Sequence, residues 1–150
     1  MLKNIPECIP PELMKYLMEM GHGDEIVIGD INFPQQSMGK RTVYCKGIKG
    51  PEMLEAIMKL LPLDIFVDDP VVLMETGELY KGTPPIWPVY EKIIKENDTC
   101  KAFHGFKFLE RFAFYERAKQ AFVIVGTSEP SLYAPMILKK GAIGDFGSDD

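Results

Sequence analysis

Residues 11–30 read PELMKYLMEMGHGDEIVIGD, and they predict an amphipathic helix followed by a buried strand. The apolar residues of one helical face recur at the expected spacing, namely Leu13, Tyr16, Leu17 and Met20. Gly21 follows where helices tend to end. Residues 25–29 are a short β-branched run before Asp30, which is typical of a buried strand in a parallel or mixed sheet.

Strand and helix patterns alternate along the rest of the chain. Further strands are predicted at residues 42–45, 71–75, 122–125 and 136–138, and residues 106–109 are ambiguous. Further helices are predicted from Pro51 to the residue before Pro62, over residues 85–97 and over residues 111–119. The alternation predicts one α/β domain over residues 1–144, with three layers in which helices cover a mostly parallel sheet. We expect the acidic residues 145–150 to form a disordered tail.

Composition narrows the classes of protein that the chain can belong to. The 150 residues carry a net charge of -5, and 46% of them are hydrophobic, which suits one domain with a real core. The negative charge disfavours nucleic-acid and anionic-membrane partners. Because no apolar stretch approaches the roughly 20 residues of a membrane span and the first residues lack a signal-peptide pattern, we expect a cytoplasmic protein. Three widely spaced cysteines without a CxxC pair predict reduced, mostly buried thiols.

Two acid–base candidates flank the strand at residues 25–29. The common phosphate-loop, dinucleotide, nucleophile-elbow and zinc-protease motifs do not occur. His22 stands between two glycines, which leave its imidazole free to reach a ligand. The simplest interpretation is that it caps the preceding helix, and a third, weaker one is that it joins nearby carboxylates around a metal. Asp30 follows the strand, where α/β sheets place ligand-binding groups, or it forms a local Asx-turn.

Two later segments add aromatic and charged candidates. Residues 111–117, RFAFYER, predict a helix whose phenylalanines lie in the core, while Glu116 and Arg117 form a solvated face. Tyr133 precedes the last predicted strand, where its phenol either meets a ligand or belongs to an ordinary strand entry.

Several of these segments, in this order, resemble the L-fucose mutarotase and D-ribose pyranase family. The matching blocks are MGHGDE at 20–25, Asp30 with NFP at 32–34, LPLD at 61–64, RFAFYERA at 111–118 and LKKG at 138–141. The resemblance is closest to the fucose mutarotase branch and covers essentially Met1 to Gly144. It implies an enzyme, without cofactor or metal, that interconverts the α and β anomers of a monosaccharide such as L-fucose. It also implies a ring-shaped homo-oligomer, typically a decamer.

The resemblance also assigns roles to individual residues. His22 corresponds to the proton donor, and our own hypothesis is that Tyr133 or a water is its counterpart. The substrate-binding positions implied are Asp30, Arg111, Tyr133, Ala134 and Pro135. Pro135 departs from the family's usual asparagine, and proline has neither an amide side chain nor a backbone N–H. The alternatives are a D-ribose pyranase and a sugar-binding homologue without catalysis.

The spacing of His22 and Asp30 constrains any shared site. Eight positions span up to about 26 Å when extended at about 3.3 Å per residue, more than one monosaccharide bridges. Either the chain bends back at Gly23 and Gly29, or the two residues reach one sugar from different subunits. The second arrangement predicts a site at a subunit interface.

Overall fold

Six strands form one sheet in a computed structural model that describes residues 1–144; the predicted tail at 145–150 lies outside this range. The strands are β1 (Glu25–Gly29), β2 (Thr42–Cys45), β3 (Val71–Met74), β4 (Lys107–Leu109), β5 (Val123–Thr127) and β6 (Met136–Lys139). Their order across the sheet is β2-β5-β1-β6-β3-β4. Only β6 runs antiparallel to its neighbours, β1 and β3. The predicted mostly parallel sheet is therefore confirmed.

Five helices cover the sheet on both faces. They are α1 (Pro11–Glu19), α2 (Gln35–Met38), α3 (Gly50–Met58), α4 (Ile86–Asn97) and α5 (Arg111–Gln120). Apolar side chains of α1, α3 and α4 share one core cluster with Ile26 and Ile28 of β1. Val27 points to the other face, where it joins Phe114 and Ala118 of α5. Successive strand residues alternate between faces, so β1 lies between two helical layers, and the three-layer architecture is confirmed.

Some local predictions need correction. The sequence analysis did not predict α2, because four residues are too few to show a helical period. The ambiguous segment forms a three-residue edge strand, β4, in which Phe108 is 43% exposed. Of the three thiols, only Cys45 is buried, whereas Cys8 is half-buried and Cys100 is exposed. None of the helices in residues 1–144 is long and apolar enough to cross a membrane.

The topology gives the sheet two chemically different edges. The term carboxyl edge is used for the side of the sheet at which β1 ends. The term amino edge is used for the side at which β1 begins. Because β6 is antiparallel to β1, it starts at the carboxyl edge, with Met136 opposite Ile28, and ends at the amino edge, with Lys139 opposite Glu25. Segments before β1 and after β6 therefore meet at the amino edge. Segments after β1 and before β6 meet at the carboxyl edge.

Candidate functional site

His22 lies on the turn that leads into β1, at the amino edge. Gly23 makes this turn with a φ of 88°, a left-handed conformation that glycine adopts without strain. The Gly23 N–H donates to the Lys140 carbonyl over 2.8 Å, which ties the turn to the end of β6. Helix α1 is capped at Met20, so His22 is not its C-cap.

A buried carboxylate orients the His22 ring. Nε2 lies 3.0 Å from Oδ1 of Asp64, a residue that is only 3% exposed, while 45% of the His22 side chain is exposed. Burial alone would raise the pKa of Asp64, but the Phe66 amide, His22 and Lys139 outweigh it and lower the pKa. The ionised carboxylate can only accept hydrogen bonds, so neutral His22 donates through Nε2–H and keeps a lone pair on Nδ1. This arrangement suits a general base and acid.

The carboxyl edge carries a cavity of about 410 Å³. Its walls are formed by Asp30, Asn32, Phe33, Met74, Leu79, Tyr80, Tyr115, Leu132, Tyr133 and Pro135. Asp30 is half-buried, and burial is the main reason why its pKa is raised. Its Oδ1 accepts from the Asn32 N–H over 2.9 Å, so the predicted Asx-turn is present in a residue that also lines the cavity.

Hydrogen bonds hold Tyr133 in the cavity wall, where its backbone is strained. Its φ of 58° is unusual for a residue other than glycine. Its hydroxyl accepts from the Gly77 N–H over 2.8 Å, and its carbonyl accepts from the Trp87 indole over 2.8 Å. Because the Gly77 amide uses only a lone pair of the phenol, the phenolic proton stays available to a ligand.

The remaining predicted binding residues occupy different positions. Arg111, the first residue of α5, is exposed, and its Nε donates to the Tyr115 hydroxyl over 3.3 Å at the rim of the cavity. Pro135 lines the cavity. The Ala134 side chain is 2% exposed and packs in the core, while its carbonyl accepts from the Tyr90 hydroxyl. The structure thus brings Asp30, Tyr133 and Pro135 together in the cavity wall, with Arg111 beside the lining residue Tyr115.

The metal interpretation of the carboxylates near His22 finds no support in residues 1–144. No group of three or more potential ligands occurs in this part of the chain. Asp24 accepts from the Gly21 N–H, and Glu25 is paired with Arg117. These local bonds account for both carboxylates.

His22 and Asp30 lie at opposite edges of the sheet. The five residues of β1 separate them, about 16 Å at ~3.3 Å per residue. Gly29 belongs to the strand and pairs with Gly126, so the chain does not bend back there. The alternative in which such a bend unites the two residues within one subunit does not fit the structure, because the strand between them is paired along its whole length.

A comparison with models of known protein families finds a match over most of the chain. The model of the RbsD / FucU transport protein family matches residues 3–143. The chain belongs to this family. The resemblance found in the sequence is thereby confirmed for nearly the whole described chain.

Relatives in the RbsD / FucU family are similar over almost their full lengths. A fucose mutarotase from Mus musculus is 45% identical over 152 residues, covering 97% of this chain and 97% of the mouse protein. The structure of a fucose mutarotase in complex with L-fucose from Streptococcus pneumoniae has a TM-score of 0.88 and 44% identity, covering 95% of this chain and 100% of that chain. FucU from Bifidobacterium longum has a TM-score of 0.89 and 48% identity at the same coverage.

Sequence reasoning on this RbsD / FucU chain missed two residues of the amino edge. Asp64 was noted only as the end of a matching block, since 42 positions separate it from His22. Arg117 was assigned to a solvated face, and this is wrong, because its side chain is 21% exposed and paired with Glu25 and Asp69. Phe112, expected in the core, is 67% exposed. The alternating sequence pattern carries no signal for such long-range pairs.

Proposed function

We propose that the chain is a sugar mutarotase that interconverts the α and β anomers of L-fucose. The observation that carries the proposal is the 3.0 Å contact between Nε2 of His22 and Oδ1 of Asp64. It provides an oriented imidazole with a free Nδ1, and histidine is the side chain that exchanges protons most readily near neutral pH. Fucose mutarotases among the relatives support the same reaction.

The reaction needs only proton transfers around the sugar ring. A base removes the proton of the anomeric hydroxyl while an acid protonates the ring oxygen, so the bond from the anomeric carbon to the ring oxygen breaks and an aldehyde forms. Rotation of the aldehyde and the reverse transfers give the other anomer. His22 exchanges one proton through Nδ1, and its imidazolium form is stabilised by Asp64. Tyr133 or a water exchanges the other.

The two halves of the site come together between subunits. Since β1 separates His22 from the cavity, the sugar is held by Asp30, Tyr133 and Arg111 of one protomer and meets His22 of a neighbour. Large exposed apolar side chains at both edges suit such a contact, with Phe66 beside His22 and Leu132 at the cavity being 66% and 65% exposed. Repetition of this head-to-tail contact closes a ring, and we propose a decamer.

The cavity wall favours a 6-deoxy sugar over ribose. Met74, Leu79 and Leu132 offer an apolar surface for the methyl group that L-fucose has and D-ribose lacks. Pro135 adds to that surface and cannot donate a hydrogen bond to a sugar hydroxyl. We place the enzyme in the cytoplasm.

Exchange NMR tests the function directly. Saturation of one anomeric proton signal of L-fucose is expected to transfer to the other anomer when the protein is added, and to transfer less with D-ribose. His22→Ala should remove the acceleration by about 10²-fold or more. His104→Ala is the matched control, because this second histidine is exposed and is not among the residues that line the cavity.

Three outcomes of these measurements would contradict the proposal. Wild-type exchange by the His22→Ala variant would refute the catalytic assignment. Faster exchange on ribose than on fucose would identify a pyranase instead. Ligand contact without faster exchange would identify a sugar-binding protein without catalysis.

A further inference from the structure

Arg117 joins the two chain segments that carry the acid–base pair. Its Nε and Nη2 donate to the Glu25 carboxylate over 3.1 and 2.6 Å, and Nη1 donates to Oδ2 of Asp69 over 3.0 Å. The three side chains are 21%, 14% and 31% exposed, so the network is partly shielded from water. One guanidinium therefore binds two carboxylates from different segments.

Both carboxylates lie close in sequence to the acid–base pair. Glu25 is three residues after His22, and Asp69 is five residues after Asp64. The backbones of the two segments are each tied to the end of β6, through Gly23 to Lys140 and through Asp64 to Lys139. Arg117 adds a direct side-chain link between the segments, from the helix that covers them.

We infer that Arg117 is a positioning residue that holds His22 and Asp64 in register, an inference that rests on the proposed function. Acid–base catalysis depends strongly on distance and orientation, and a displacement of about 1 Å can lower a rate by about 10²-fold. The guanidinium suits this role because its planar fork fixes the direction of each bond. A lysine ammonium keeps the charge without that directionality.

Helix α5 therefore contributes a residue to each edge of the sheet. Arg111 at its start lies at the cavity rim, and Arg117 lies six residues later, about 9 Å along a helix that rises ~1.5 Å per residue. The same rigid element supports the sugar-binding half of one site and the proton-transfer half of another.

The test compares variants that break the link in graded ways. Arg117→Met removes it, Arg117→Lys keeps the charge, and Asp69→Asn breaks only the bond to the segment that carries Asp64. Lys119→Met is the matched control, because it removes an exposed ion pair with Glu116 from the same helix. Light scattering and circular dichroism establish that each variant is folded and assembled.

Two readouts separate positioning from a structural role. Arg117→Met is expected to lower kcat by about 10-fold with KM within about twofold, and Asp69→Asn and Arg117→Lys by about 3-fold. Heteronuclear NMR of the imidazole nitrogens should show a single Nε2–H tautomer for neutral His22 in the wild type and a tautomer mixture in Arg117→Met. Lys119→Met should change neither.

Failure of this inference differs from failure of the proposed function. Wild-type kcat in the folded variants, or a lower kcat with an unchanged tautomer, would overturn the role of Arg117 while His22→Ala stays inactive. If Arg117→Met does not fold, the same two criteria apply to Asp69→Asn. Wild-type exchange by His22→Ala would instead refute the proposed function, and the tautomer comparison would still decide whether Arg117 orders the pair.

Discussion

The two edges of the sheet carry chemically different groups, and the proposed reaction needs both. The amino edge has a polar acid–base pair, His22 and Asp64, fixed by a 3.0 Å contact and left open on its outer side. The carboxyl edge has a cavity of about 410 Å³ that Asp30 and Tyr133 line, with a strained backbone at Tyr133. One edge can move protons and the other can hold a sugar. A single strand, β1, keeps them apart.

This difference shows how a small domain can carry a complete site. Each edge exposes its functional groups at the surface, where a second copy of the chain can approach them. In the ring that we propose, head-to-tail contact joins the amino edge of one protomer to the carboxyl edge of the next and covers apolar side chains at both. Catalysis and assembly then depend on the same surfaces.

Mixed oligomers give the largest expected effect. His22→Ala and Asp30→Asn should each be inactive alone, because each removes one half of every site. After equal amounts are dissociated and reassembled together, about one quarter of the interfaces should pair two intact halves and recover about a quarter of the wild-type exchange rate. Exchange NMR on L-fucose measures the recovery.

A control defines what the recovery means. Mixing His22→Ala with Asp64→Asn should not restore activity, since both changes lie on the same edge. If the first mixture also stays inactive although mass spectrometry detects mixed oligomers, the site is not shared between subunits.

Removal of the Asp64 charge has the next largest effect. Asp64→Asn should lower kcat by about 10²-fold, because an amide can donate as well as accept and no longer fixes one tautomer of His22. The lowered pKa of Asp64 also predicts a stability change. A carboxyl with a lower pKa in the folded state stabilises the protein above its unfolded pKa, and this contribution is lost as the pH falls through the folded pKa.

Thermal unfolding as a function of pH checks this sign. Asp64→Asn should be less stable than the wild type at pH 7, and the two curves should converge in acid below about pH 3.9, the ordinary range of aspartate. A constant difference across this range would mean that the lost stability comes from packing rather than from charge.

The fold could be predicted because its core elements have strong local patterns. The run Ile26 to Ile28 is β-branched and buried on both faces, and the bounds of β1 and β2 agree with the prediction. Pro88 lies in the first turn of α4, where its missing N–H breaks no helical bond. The edge strand β4 and the four-residue α2 have too little pattern, and their conformation depends on neighbours distant in sequence.

The site could be predicted only as far as its residues stand beside a strand. His22 and Asp30 were found because glycines and a strand end mark them. Asp64 and Arg117 were missed, since a hydrogen bond over 42 positions and ion pairs over 92 and 48 positions leave no periodic signal. In the sequence, residues 111–117 resemble an ordinary charged helix. Only the structure shows that Glu25 and Asp69 pair with Arg117.

Tyr133→Phe tests the carboxyl edge alone. Loss of the phenolic oxygen leaves the Gly77 N–H without its acceptor and removes a donor to the sugar. We expect kcat/KM to fall by about 10-fold with the fold retained. Tyr80→Phe is the matched control, since its ring packs against Tyr133 at 5.1 Å in the same cavity. Equal losses in both variants would show that the effect is not specific to the Tyr133 hydroxyl.

Asp30→Asn should have the smallest effect on the free energy of unfolding, and its sign is opposite to that of Asp64→Asn. Burial raises the pKa of Asp30, so its ionisation destabilises the folded state increasingly as the pH rises through the folded pKa. Asparagine keeps the oxygen that accepts from the Asn32 N–H but carries no charge. We therefore expect a small gain in the free energy of unfolding at pH 7 that disappears in acid, measured by urea unfolding. A destabilised Asp30→Asn variant at pH 7 would contradict the view that a half-buried, sugar-binding carboxylate at this edge lowers the stability of the fold.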